Sequence, residues 1–317
     1  MIDRSGIDRS GIDRSDVEAA RARIGDRLRL TPVLDAVVDT VHGPVPVSFK
    51  LEYLQFGGSF KTRGSLNAML HSAVDAFGVV IASGGNAGIA AATAAAMQGV
   101  GCAVVVPENA PAAKVAALHT LGADVVQHGT SHAEAFECAT ALAIERGSVQ
   151  LHAYDLPDIV AGAGTIGLEL DEQVPEANPV LVAVGGGGLI AGIATGVSSD
   201  RSVIGVEPQG IPTLHSALRN GSPVDVAVDS IAADSLGAKR IGDIAMSVAA
   251  AHGITSLLVT DDAIVAARDY LWRHFRIAVE FGGATALAAV RSGAYVPEEG
   301  ERPVIVLCGA NTDPATL

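Results

Sequence analysis

Apolar residues recur along the chain in two alternating ways, as short β-branched runs and as longer stretches at helical spacing, and this alternation predicts the elements. Residues 16–27 form a first amphipathic helix, which Thr31-Pro32 ends and follows with an extended segment. Residues 45–51 (V-P-V-S-F-K-L) alternate as a strand and deliver the chain to L-Q-F-G-G-S-F-K-T-R-G at 54–64. Leu66, Met69 and Leu70 then recur at helical spacing, which puts Lys61 at or just before a helix start. From residue 78 strands at 79–82, 103–106 and 124–127 alternate with helices at 89–98, 112–121 and 133–146. After a Gly-rich link at 161–167 a second series follows, with strands at 180–184, 203–206, 256–259 and 304–307 and helices between them. Strands alternating with helices imply an α/β fold of parallel sheets covered on both faces. Two doubly wound, mainly parallel sheets facing each other leave a cleft at the carboxyl ends of their strands, where such sheets bind ligands.

Composition narrows the partners. Of 317 residues 49% are hydrophobic and only 4% aromatic, so the core is built from Ala, Val, Leu and Ile. The net charge is -14 with no basic cluster, which argues against nucleic acid and anionic membranes. Cys102, Cys138 and Cys308 are odd in number and widely spaced, which fits a reduced, cytoplasmic compartment. None of the nine histidines forms a metal-spaced cluster. Residues 1–15 repeat I-D-R-S-G with charges throughout, so they read as a disordered tail with no folding role and carry no secretory signal. Two uncharged runs, 76–107 and 179–199, have the length of a membrane span, but glycines interrupt both, and buried strand, loop and helix units explain them better.

Three stretches carry candidate chemistry. Lys61 reads either as a solvated lysine at a helix start or as a confined amine with a lowered pKa, nucleophilic towards a carbonyl. Gly185, Gly186, Gly187 and Gly188, followed by Leu189, join a strand to a helix, so their N–H groups suit a phosphate. That phosphate could belong to a dinucleotide: Gly186, Gly188 and Ala191 satisfy G-x-G-x-x-A, and Glu207 closes the next strand where a ribose-binding acid would sit. An NAD-dependent oxidoreductase is therefore a rival reading. Ser83, Gly84, Gly85, Asn86, Ala87 and Gly88 form a second strand-to-helix loop, either a capped turn or a carboxylate site. A reactive lysine, a phosphate loop and a carboxylate loop together are the parts needed for a phosphate-bearing aldehyde that captures amino acids.

With these motifs in this order, the sequence resembles the fold-type II pyridoxal-phosphate enzymes (tryptophan synthase β-like), and within them the serine/threonine dehydratases. The resemblance runs from 31 to 312: G-S-F-K-T-R-G matches the cofactor-lysine motif, S-G-G-N-A-G the substrate loop, G-G-G-G-L the phosphate loop and L-C-G-A-N the stretch beside the pyridine nitrogen. It implies a large cofactor-binding domain at 16–75 and 153–317 and a small domain at 76–152. It also implies pyridoxal 5'-phosphate in a Schiff base with Lys61, Phe60 against its ring, Asn86 on its 3'-hydroxyl, Cys308 beside its ring nitrogen and Glu280 as a nearby acid. Residues 185–189 would hold the phosphate. Ser83, Gly84, Gly85, Asn86 and Ala87 would bind the substrate, with Ser235 and Gly237 of A-D-S-L-G close by. The implied reaction is dehydration and deamination of L-serine or L-threonine by a homodimer.

Departures from the family pattern sharpen this. Racemases of the family have a serine at the position of Gly84 as acid/base, so elimination without racemisation is expected. Cys308 cannot hold a proton on the ring nitrogen as a carboxylate would, which disfavours transamination. Ala87 and Ala163 point to a roomier pocket and leave serine, threonine and bulkier substrates open, hydroxyaspartate among them. Thr213 stands where cation-binding relatives have an acid, so no metal is assigned, although a monovalent ion on backbone carbonyls stays open. The chain stops soon after L-C-G-A-N, so neither the regulatory domain of biosynthetic threonine deaminases nor feedback by isoleucine is expected. Non-catalytic relatives that keep the fold for binding would lack the lysine.

Overall fold

The computed structural model describes residues 11–75 and 77–316. In chain order the elements are α1 (Arg14–Ile24), β1 (Val33–Thr40), β2 (Gly43–Lys50), α2 (Lys61–His71), β3 (Val79–Ala82), α3 (Asn86–Gln98), β4 (Cys102–Val106), α4 (Ala112–Thr120), β5 (Asp124–Gln127), α5 (His132–Arg146) and β6 (Val149–Leu151). There follow α6 (Pro157–Gln173), β7 (Val180–Ala183), α7 (Gly188–Gly196), β8 (Val203–Pro208), α8 (Thr213–Asn220), α9 (Ala233–Leu236), α10 (Asp243–His252), β9 (Thr255–Val259), α11 (Asp261–Tyr270), α12 (Phe281–Ser292) and β10 (Val304–Val306).

Two sheets organise these elements. The six-stranded sheet runs β1-β2-β10-β7-β8-β9 and the four-stranded one β5-β4-β3-β6. Among the described strands β1 and β2 pair antiparallel, in a hairpin, and the other strand pairs are parallel. Strands β3, β4 and β7 are buried at every residue, as continuous apolar runs in parallel sheets should be. β10, late in the sequence, inserts between β2 and β7 and so brings the C-terminal stretch beside the segment that follows β2.

Three expectations are corrected. The assignment of 1–15 to a disordered tail fails at Asp13, which caps α1: its carboxylate accepts the Asp16 N–H at 3.1 Å, and the Asp16 carboxylate accepts the Asp13 N–H at 2.9 Å. This reciprocal capping box was readable as D-x-x-D but was hidden by the repeat. Ile12 is buried as well, and the remainder of the tail, 1–10, lies outside the described residues. The Gly-rich link at 161–167 is the middle of the 17-residue helix α6. Its glycines serve close packing: a Cβ on Gly162 would lie 2.6 Å from the Arg63 carbonyl of α2, and one on Gly164 2.8 Å from the Gly192 carbonyl of α7. Finally, β6 was not foreseen, because three residues are too few to display a period. Among the described residues no helix is long and apolar enough to cross a membrane, and the two uncharged runs resolve into strand, loop and helix.

Candidate active site

Lys61 is positioned from both ends of its motif. After β2 the chain makes two short 3-10 turns, with Gly57 at φ +73° and Gly58 at φ +70°, and a Cβ on Gly58 would meet Asn311 Oδ1 at 2.5 Å. Tyr53 and Phe60 donate their N–H groups to the carbonyls of Leu307 (2.9 Å) and Cys308 (3.1 Å), which pins the segment to the end of β10. Lys61 is then the first residue of α2. Its ammonium donates to the Ala153 carbonyl at 3.0 Å. Burial lowers this amine to about 8, against the opposing pull of Cys308 and Glu280. The solvated-lysine reading is therefore set aside.

Below Lys61, α2 is anchored by charges buried among β2, the following turn and α6. Arg63 reaches Glu52 at 2.8 Å and Glu169 at 2.6 Å, and Lys50 reaches Glu169 at 2.5 Å. All four side chains are buried. Burial alone would raise the Glu52 carboxyl, but Arg63 and Lys50 hold it below its ordinary value.

The four-stranded sheet contributes the loop from β3 to α3. Gly88 is obligatory there, since a Cβ would lie 1.9 Å from the Ser83 carbonyl. Asn86 donates to Glu280 Oε1 at 2.6 Å and accepts from Asn311 Nδ2 at 2.7 Å. Asn311 also donates to the Gly57 carbonyl at 2.8 Å, so one side chain ties the lysine segment to this loop. Burial raises the Glu280 carboxyl to about 7, opposed by the Asn86 hydrogen bond. Burial likewise raises the Cys308 thiol to about 12, with Glu280 adding to the effect, so it stays protonated at neutral pH.

The glycine run leaves β7 and opens α7, whose N-terminus has no side-chain cap. Gly187 has φ +89°, and a Cβ on Gly186 would stand 2.3 Å from the Tyr154 ring. Tyr154, Ile241 and Ala245 pack against these glycines and leave no room for side chains, and the uncapped N–H groups at the start of α7 fit a phosphate. Glu207 does not fit a ribose-binding role. It is fully buried and accepts from Leu214 N (2.7 Å), His215 N (2.8 Å), Thr213 Oγ1 (3.1 Å) and Ser256, so it caps α8.

A cleft of about 890 Å³ brings the predicted groups together. Lys61, Ser83, Gly84, Gly85, Asn86 and Ala87 line one part of it, and Gly186, Ser235 and Gly237 another. A narrower hollow beside it collects Phe60, Lys61, Ala87, Ala163, Gly188 and Leu189. Gly185 and Gly187 sit just outside both, packed on Leu236 and on Ile241 with Ala245, while Glu280 and Cys308 are buried near Lys61. Sequence reasoning missed Asn311, Tyr154, His152 and the Arg63 cluster. Asn311 stood inside the quoted L-C-G-A-N motif and was findable there, whereas Tyr154 and His152 follow β6 in a stretch with no local signal.

Residues 26–309 match the family described as pyridoxal-phosphate dependent enzymes. The chain belongs to that family. It is 35% identical to an L-threonine ammonia-lyase of Geobacter sulfurreducens, across 95% of this chain and 76% of that one. It is 36% identical to a phenylserine dehydratase of Ralstonia pickettii, across 95% and 94%. Among solved structures, maize serine racemase superposes with a TM-score of 0.86 at 30% identity, covering 96% of this chain and 95% of its own. The processed form of threonine deaminase isoform 2 from Solanum lycopersicum gives 0.84 at 28% identity, covering 97% and 88%. The fold is thus that of fold-type II enzymes, the cofactor is pyridoxal phosphate and the chain is a lyase that uses it. The dinucleotide reading of the glycine run falls.

Proposed function

We propose that the protein removes water from L-serine or L-threonine and releases pyruvate or 2-oxobutyrate with ammonia. The observation that carries this is a half-buried amine, lowered to about 8 by desolvation, facing the 83–87 loop across one cleft. Bound pyridoxal phosphate supplies an aldehyde that condenses with amines and a ring that spreads the negative charge left at Cα. The Gly185, Gly186, Gly187, Gly188 and Leu189 backbone at the uncapped start of α7 would hold its phosphate, Phe60 would pack on its ring, and Asn86, oriented by Asn311 and Glu280, would bind its hydroxyl. Cys308, kept a neutral thiol by burial, would stand beside the ring nitrogen. The start of α3, with Ser83, Gly84, Gly85 and Ala87, takes the substrate carboxylate, and Ser235 and Gly237 close over the amino acid. Lys61 takes the Cα proton at Nζ, where a pKa near the working pH lets one amine both accept and return a proton. The β-hydroxyl leaves with a proton as water, and hydrolysis of the freed enamine returns that water and yields the 2-oxo acid and ammonia. The names of the relatives, a threonine ammonia-lyase and a phenylserine dehydratase, support this class. A homodimer working in the cytoplasm completes the reading. The test is stoichiometric: loaded enzyme should give one 2-oxo acid and one ammonia per amino acid consumed, and amino acid consumed without ammonia would contradict it.

A further inference from the structure

The cleft has a wall that none of the assigned roles uses. Phe136, on the second turn of α5, is a large apolar side chain left 39% exposed, and it faces into the cleft that Lys61 lines. Its ring meets His152 edge-to-face, centroids 6.2 Å apart at 76°, and His152 meets Tyr154 in the same way at 4.7 Å and 78°. The array is fixed from behind. His152 Nδ1 accepts the N–H groups of Asp155 (2.9 Å) and Tyr154 (3.3 Å), which sets its orientation and leaves the ring proton on Nε2. Ala153, between the two rings, is the residue whose carbonyl holds Lys61, so the wall stands next to the reacting amine. Pro107 and Ala110 continue the apolar lining. Across the cleft Lys114 is paired with Asp234, and Arg240 lies 3.6 Å from Asp225.

We infer that this aromatic wall is the subsite for the substrate's β-substituent and that it selects an aryl group over the hydrogen of serine or the methyl of threonine. The inference rests on the dehydratase reading above and names its substrate class: L-threo-3-arylserines. Preordered rings meeting edge-to-face are the arrangement that a further aromatic ring joins, an attraction added to that of the apolar area buried. A cleft of about 890 Å³ has room for it.

The test uses loaded full-length enzyme and compares kcat/KM for L-threo-3-phenylserine, L-threonine and L-threo-3-hydroxyaspartate. Phenylserine should be preferred, and Phe136→Ala should lower the phenylserine-to-threonine ratio at least tenfold, with Phe136→Leu, which keeps apolar volume, falling between. Binding gives a readout independent of turnover: L-phenylalanine, which lacks the leaving hydroxyl, should inhibit wild type more tightly than L-2-aminobutyrate, and Phe136→Ala should erase the difference. Turnover of threonine or hydroxyaspartate in preference to phenylserine, or a ratio that Phe136→Ala and Phe136→Leu leave unmoved, would overturn the subsite while leaving the dehydratase reading intact. Turnover of none of the three would remove both.

Discussion

Lys61 owes its reactivity to where its amine is stored rather than to a hydrogen-bond partner that activates it. Burial penalises the ammonium form and lowers the amine to about 8, whereas an exposed lysine stays near 10.5. The sign sets a testable pH profile. Only the neutral amine attacks an aldehyde, so loading of the cofactor-free protein with pyridoxal phosphate, followed by absorbance, should accelerate as pH rises and level off above about 8. A rate still climbing steeply towards 10.5 would mean that the amine is not desolvated. Gly84 carries the second prediction at this scale. A Cβ there would meet Val106 Cγ1 at 3.1 Å, a contact that a small side-chain shift relieves, and the position has no left-handed backbone to forbid a side chain. Wild type should convert L-serine to pyruvate with no measurable D-serine, whereas Gly84→Ser should gain D-serine or solvent exchange at Cα. Racemisation by wild type at a rate near that of elimination would refute the role given to glycine. The residue-scale motifs were legible because each is local: a glycine run after a strand or a lysine before a helix is written within a dozen residues.

At the scale of elements, α2 is held by charge and α6 by closeness of backbone. Arg63 answers both Glu52 and Glu169, and Lys50 answers Glu169, all within the buried layer between β2, α2 and α6. Removing one member of such a cluster strands the others, at a cost of about 3–5 kcal/mol. Arg63→Ala should therefore lower the unfolding free energy by that order, read as a lower denaturant midpoint by circular dichroism, and an unchanged midpoint would show the cluster to be dispensable. Nothing local announced these pairs, since Lys50 and Glu169 are 119 residues apart. The Gly-rich stretch of α6 was misread for a different reason. Loop glycines and helix-packing glycines look alike in one segment. The signal lay in the partner helix, where Gly188, Gly192 and Gly196 recur every fourth residue and share one face. A Cβ on Gly192 would lie 2.4 Å from the Val160 carbonyl and one on Gly196 2.2 Å from the Gly164 carbonyl, so α6 and α7 meet backbone to backbone.

For the whole molecule, strand order does what no single motif can. The last strand, β10, lies between β2 and β7 and parallel to both, so the stretches after β2, β7 and β10 converge at the carboxyl end of the six-stranded sheet, and the loop after β3 faces them from the four-stranded sheet. Alternation of strand and helix foretold two parallel sheets, but the antiparallel β1–β2 hairpin and the place of β10 are long-range pairings that periodicity does not encode. The division into a unit of 16–75 with 153–317 and another of 76–152 follows this arrangement as a proposal, with the cleft between them as the place of chemistry. We propose that Lys61 carries the cofactor in that cleft. Reducing the purified protein, loaded with pyridoxal phosphate, with borohydride and mapping the peptides tests it directly. A visible Schiff-base band should disappear, and a pyridoxyl group should remain on Lys61. A pyridoxyl group on another lysine, or no band after addition of pyridoxal phosphate, would contradict it.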